Sequence, residues 1–233
     1  MNPKTLDHVA LWVSDREPIV SFATGHLGMH VIDENERFTL VGSDARRGKL
    51  TLFVADGPRE QGALAHVALR VSDLRSAVGA LPDGTRAEAP REGEVYFDVA
   101  EGLRLGLVEA ATDVEYDLDH VALWTAEPVA TAERYEPLGF APAAPGPSGA
   151  PRVEVGGAYV EFHEGDPGDP ERPLLNHLAV LVDSAGEQLA DAEELGIPVA
   201  DVVDAPNTYA VFLWGPDHVK VEYVEHKPTF SLR

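Results

Sequence analysis

Two histidines and two glutamates in the second half of the chain have the types and the spacing of a metal site. His120, Glu161, His177 and Glu222 follow one another at intervals of 41, 16 and 45 residues. Each histidine opens an apolar stretch, His120-Val121-Ala122-Leu123 and His177-Leu178-Ala179-Val180, and each glutamate sits in a matching triplet, Val160-Glu161-Phe162 and Val221-Glu222-Tyr223. Both patterns read as strands whose side chains alternate between two faces. If the aliphatic faces pack on helices, all four polar side chains enter one cleft. Two imidazoles and two carboxylates there are costly to desolvate without a counter-charge. A divalent cation supplies one, and this mixed nitrogen and oxygen set suits iron, manganese, nickel, cobalt or zinc. A lone histidine on such a strand is ordinarily a hydrogen-bonded core residue; the recurrence of the His and Glu pair favours metal.

The elements that must position these residues are written as a repeat. Leu6-Asp7-His8-Val9-Ala10-Leu11-Trp12-Val13 returns at an offset of 112 as Leu118-Asp119-His120-Val121-Ala122-Leu123-Trp124-Thr125, with seven of eight residues identical. Weaker copies open at Ala65-His66 and Asn176-His177. The chain therefore reads as four units, each a strand, a helix and three further strands. Helices are expected near 16–25, from about Ser72, around Val129 to Glu136, and from Gly186 to Leu195. Ser72 or Asp73 could cap the second. The expected fold class is α+β: four βαβββ modules paired into two half-open barrel domains, residues 1–112 and 113–233, with linkers near 110–117 and 165–173. In the first domain His8 and His66 persist, but the positions taken as equivalent to the two glutamates read Leu52 and Gly106. The first domain is accordingly expected to be metal-free, with His8 a retired counterpart of His120.

Composition bounds the function. The chain has 233 residues, 40 acidic against 18 basic, a formal charge of -22 and no cysteine. Thiolate metal sites, disulfides and thiol nucleophiles are excluded. Nucleic acid, which needs a basic face, is not an expected partner. No run of about 18 apolar residues predicts a membrane span. The N-terminus enters the first strand at once, which predicts no signal peptide and cytoplasmic residence by default. The acidic surface is read as solvating.

These units and strand openings resemble the vicinal oxygen chelate superfamily, which includes glyoxalase I, bleomycin resistance proteins and extradiol dioxygenases. The resemblance covers nearly the whole chain. It implies metal ligands at His120, His177 and Glu222, with Glu161 as a candidate fourth, and a small-molecule substrate chelated through two adjacent oxygens. With two histidines and two glutamates the site is similar to glyoxalase, in which the metal stabilises an enediolate and Glu161 or Glu222 acts as the base. His163 lies two residues beyond Glu161 and could orient it. The alternative is an extradiol ring-cleaving dioxygenase, to whose catechol-cleaving subgroup the tail Glu225-His226-Lys227-Pro228-Thr229-Phe230 is similar. That subgroup's acid–base histidine, a further histidine and a tyrosine would fall at Ala158, near Val203 and at Phe212, so Tyr209, His163 or His218 would have to substitute. A non-catalytic binding or resistance protein is the third reading. Fused domains reproduce a pairing that shorter relatives reach by dimerising, and a homodimer stays open.

Overall fold

The computed structural model describes residues 1–230. The first unit consists of β1 (Thr5–Val13), α1 (Glu17–His26), β2 (His30–Glu34), β3 (Phe38–Gly42) and β4 (Lys49–Val54). The second has β5 (Leu64–Val71), α2 (Leu74–Gly79), β6 (Glu94–Asp98) and β7 (Arg104–Glu109). The third has β8 (Asp117–Thr125), α3 (Pro128–Tyr135), β9 (Ala141–Ala143), β10 (Arg152–Val155) and β11 (Ala158–Glu164). The fourth has β12 (Leu175–Leu181), α4 (Ala185–Leu195), β13 (Val199–Asp204), β14 (Thr208–Trp214) and β15 (Lys220–His226). Of the three strands expected after the helix of the second unit, the first is reduced to a single bridge between Glu88 and Tyr96. The caps follow side-chain chemistry: Asp73 accepts from the Ser76 amide at 2.9 Å, and Ser184 from the Glu187 amide at 3.2 Å. Either is worth about 1 kcal/mol.

Two sheets result, and they do not divide the chain near residue 112 as the repeat suggested. The eight-stranded sheet runs β13-β14-β15-β12-β1-β4-β3-β2 and joins the fourth unit to the first. The seven-stranded sheet runs β6-β7-β5-β8-β11-β10-β9 and joins the second unit to the third. The seams are antiparallel, β1 with β12 and β5 with β8. The physical reason is that all four opening strands offer the same kind of edge, so the repeat alone does not choose partners. The connections do. Residues 55–63 and 165–174 run beside one another between the sheets, tied by the Leu174 amide to the Glu60 carbonyl at 2.7 Å and by a Glu60–Pro173 bridge.

The aliphatic sides of both sheets and the inner sides of the helices merge in one core, with Val9, Leu11, Val67, Leu69, Val121, Leu178 and Val180 wholly buried. Each such side chain contributes roughly 1.5–3 kcal/mol of burial. Tyr223 of β15 crosses between units, its hydroxyl donating to the Leu138 carbonyl at 2.6 Å. Packing this dense holds the opposite faces of the sheets, where the histidines stand, in fixed register. Among the described residues no helix is long and apolar enough to cross a membrane.

Candidate metal centre

Each seam carries two bulges, and they set the histidines. The β1–β12 register slips at Asp7 and at Asn176, so each is the extra residue before His8 and His177. The β5–β8 register slips in the same way at Ala65 and Asp119, before His66 and His120. A bulge re-aims side chains that alternation would send to opposite faces. The residue preceding each histidine can therefore reach its ring. Asp7 Oδ1 lies 2.8 Å from His8 Nδ1, and Asn176 Oδ1 lies 3.0 Å from His177 Nδ1. With Nδ1–H donating to these acceptors, both Nε2 atoms turn lone pairs toward the concave face.

Across the eight-stranded sheet, Glu222, Ala179, His8 and Lys49 stand side by side. In the next row the order repeats in reverse, with Thr51, Ala10 and His177 followed by Lys220. This pseudo-two-fold arrangement brings His8, His177 and Glu222 together as the cluster fit to hold a metal among the described residues. His8 Nε2 and His177 Nε2 are 3.1 Å apart. Glu222 Oε2 lies 2.8 Å from His177 Nε2 and 3.2 Å from His8 Nε2. Adjacent ligands about 2.1 Å from a cation lie about 3 Å apart, so the triangle has the size of one face of a coordination sphere. Glu222 Oε2 is buried and receives no well-formed hydrogen bond. A buried carboxylate oxygen without a hydrogen bond, set between two imidazole nitrogens, has the chemistry of a cation ligand. The three residues fit a divalent metal.

The electrostatics agree with a shared site. Burial pushes the Glu222 carboxyl up, but His177 and His8 more than reverse this and hold it at about 2. Burial pulls His8 down, yet the carboxylates of Asp7 and Glu222 beside it raise it to about 9. His177 is lowered, first by burial and then, against the pull of Glu222, by His8. Asp7 is held well below the carboxylate range against burial, chiefly by the buried Lys49 ammonium 2.8 Å away. Proton and cation compete for the same lone pairs on such residues. Aromatic rings wall the centre: Phe212 and Phe53 lie 5.1 and 6.1 Å from the His177 ring, and Phe53 packs on Trp12 and Phe38.

The seven-stranded sheet repeats the frame with different contents. Its rows read Gly106, Ala68, His120, Tyr159 and, reversed, Glu161, Ala122, His66. His66 Nε2 and His120 Nε2 are 2.9 Å apart, and Asp119 holds His120 Nδ1 at 2.7 Å. Ala65 offers His66 no acceptor, so His66 is free to carry its proton on Nε2 and donate it to His120. The carboxylate is turned aside: Glu161 Oε1 accepts from Ser148 at 2.9 Å and lies 2.9 Å from His163 Nε2. The slot opposite holds the Tyr96 ring, which lies over Gly106 so closely that a Cβ there would meet it at 2.5 Å. Burial and the neighbouring His120 and His163 push His66 down to about 2.

The four expected ligands are thus divided. His177 and Glu222 meet in one sheet, while His120 and Glu161 lie in the other. His8, expected to be idle, completes the first cluster, so the expectation of a centre confined to residues 113–233 is corrected. The position opposite Ala10 is Thr51, one residue short of the Leu52 inferred from sequence. Among the catalytic candidates, Glu222 is in the centre and His163 stands beside Glu161. Tyr209 faces the helix side of β14, near Gly186 of α4 and against the core, and is not in either cluster. His218 lies in the turn before β15, 6.5 Å from the Trp214 ring. The residue before each histidine carried a signal that sequence reasoning did not use: Asp7, Asp119 and Asn176 can accept from Nδ1, and Ala65 cannot.

The four units thus pair antiparallel into two open half-barrels, each with histidines across its seam. Residues 5–90 match the family described as the Glyoxalase/Bleomycin resistance protein/Dioxygenase superfamily. No curated protein sequence matches it. Among solved structures it is similar to a "putative dioxygenase" from Bacillus subtilis subsp. subtilis str. 168, at 17% identity and TM-score 0.81, over 98% of this chain and 87% of that one. It is also similar to glyoxalase I from Zea mays, at 15% identity and TM-score 0.72, over 95% and 92%. A third, the cppA protein from Streptococcus pneumoniae TIGR4, aligns at 14% identity and TM-score 0.64, over 96% and 99%. At these identities the likeness is one of fold.

Proposed function

We propose that the chain is a divalent-metal-dependent enzyme that chelates a small substrate through two adjacent oxygens at His8, His177 and Glu222, and that it uses dioxygen as co-substrate. The observation that carries this is the ligand set itself, two histidines and one carboxylate on a single face. A cation held on that face keeps open positions for both substrate oxygens and for dioxygen, the arrangement of non-haem iron oxygenases. Asp7 and Asn176 fix the tautomers of the two histidines. Phe38, Phe53, Phe212 and Trp12 exclude water from the face and offer flat apolar contacts to a substrate. The enediolate reading drew on Glu161 as a second carboxylate at the metal. Thr51 stands in the corresponding slot, and a hydroxyl is no base near neutral pH. The resemblance in fold to a structure described as a dioxygenase accords with this.

Anaerobic loading with ferrous iron, followed by oxygen-electrode measurements on a panel of catechols and α-hydroxycarbonyl compounds, tests the reading. We expect oxygen uptake stoichiometric with one substrate class, absent in His8→Ala. Anaerobic exchange of a carbon-bound proton for deuterium without oxygen uptake would establish the proton-transfer chemistry instead.

A further inference from the structure

We propose that the substrate of this centre carries an anionic group, a carboxylate in the simplest case, beyond its chelating oxygens, and that Lys220 receives it. The inference rests on the reading of His8, His177 and Glu222 as a metal centre. The chain has four lysines, Lys4, Lys49, Lys220 and Lys227, within a formal charge of -22. Two of the four fill corresponding slots in the two rows: Lys49 pairs with His8, and Lys220 precedes Val221, the partner of Leu178, which sets it beside His177 by the same register. So scarce a residue type recurring at both symmetry-related positions is not explained by a solvated surface.

The two lysines are not equivalent. Lys49 is committed: it is buried, with Nζ 2.8 Å from Asp7 and 3.3 Å from the Ala45 carbonyl. Lys220 is half-buried, and among the described residues no carboxylate lies within salt-bridge distance of it. Its ammonium stands 5.9 Å from the Trp214 ring, and the acidic groups within electrostatic reach are Asp201 and Glu222. Asp201 is exposed and screened by solvent and salt. Glu222 belongs to the metal. A divalent cation outweighs the Glu222 charge and Lys220 adds to it, so the loaded centre is a positive spot in an acidic molecule. A dianionic substrate would neutralise it, and a neutral one would not.

The other sheet shows what happens when the slot is not reserved. Tyr159 occupies it beside His120. Arg104, beside His66 by the same register, is bound to Asp98 and Glu88. Among the described residues, an uncommitted cation in this slot occurs only next to the metal cluster. As Lys220 is two residues from Glu222 on the same face of β15, a group bound to it sits at the mouth of the ligand triangle, between Trp214 and Phe212 of β14.

The test uses Mn(II)-loaded full-length protein and a matched pair of chelating probes, catechol and 3,4-dihydroxybenzoate, with dissociation constants from calorimetry. We expect the carboxylated probe to bind about 10-fold more tightly to the wild type. Lys220→Met should abolish that preference while leaving Mn(II) stoichiometry and catechol affinity intact, and Lys220→Arg should keep it. Equal affinities in the wild type, or a preference that survives Lys220→Met, would overturn the assignment of Lys220 and leave the metal centre standing. Failure of the wild type to bind Mn(II) would overturn both.

Discussion

The two half-barrels share one frame and differ in what closes it. On both seams a bulge presents a histidine from each opening strand, and an alanine separates each histidine from the variable slot. In the eight-stranded sheet the slots hold Glu222 and Thr51, and both histidines have an acceptor on Nδ1. In the seven-stranded sheet the slots hold Glu161 and Gly106, and only His120 has one. Glu222 faces two nitrogens with no hydrogen bond to satisfy it, whereas Glu161 is satisfied by Ser148 beside His163. A repeat of fold is therefore not a repeat of site. Three kinds of residue decide the difference: the acceptor before the histidine, the carboxylate in the slot, and whatever competes for that carboxylate.

The two sheets should differ most at the histidines. His8→Ala should abolish divalent metal binding measured by equilibrium dialysis, and His66→Ala should leave it within twofold. The reverse outcome would exchange the roles of the two sheets. The next largest effect is expected one residue upstream, where Asp7→Ala or Asn176→Ala should weaken metal affinity roughly 10- to 100-fold by freeing the ring tautomer. Asp119→Ala in the other sheet should leave metal affinity unchanged.

Acid stability sharpens the contrast. In the metal-free protein the Glu222 carboxyl sits at about 2, below its ordinary 4.5. Its contribution, on the order of 3 kcal/mol, is present above 4.5 and lost as pH falls through 2. Glu161 is also lowered, against burial, by His163 and Ser148. Urea midpoints followed from pH 5 to pH 2 should flatten more in Glu222→Gln than in Glu161→Gln; equal slopes would remove the distinction. At the other end, His8 is raised from 6.5 to about 9, so its contribution is complete below 6.5 and lost as pH rises through 9. The smallest effect is expected at Gly106→Ala, where the added methyl meets the Tyr96 ring. We expect a destabilisation of about 1–3 kcal/mol in a denaturant titration, with metal binding unaffected.

Much of this was legible in the sequence. The repeated octapeptide announced four units, and alternation placed His177 and Glu222 on one face. What could not be read was which unit meets which, because opening strands with nearly identical edges carry no partner information. His8 was set aside for that reason: its carboxylate partner is contributed by the last strand of the chain, more than two hundred residues away. The bulges were also invisible, since a slip of one residue in pairing leaves the hydrophobic pattern almost unchanged. Counting by alternation alone gave Leu52 for the slot that register assigns to Thr51. The fate of Glu161 depended on Ser148, in a loop rich in proline and glycine whose path no periodicity specifies.

The most direct test of the central claim is anomalous diffraction at the manganese edge from crystals grown with Mn(II). We expect a peak bounded by His8 Nε2, His177 Nε2 and Glu222, and none between His66 and His120. A peak at His66 and His120, or none at Glu222, would contradict it.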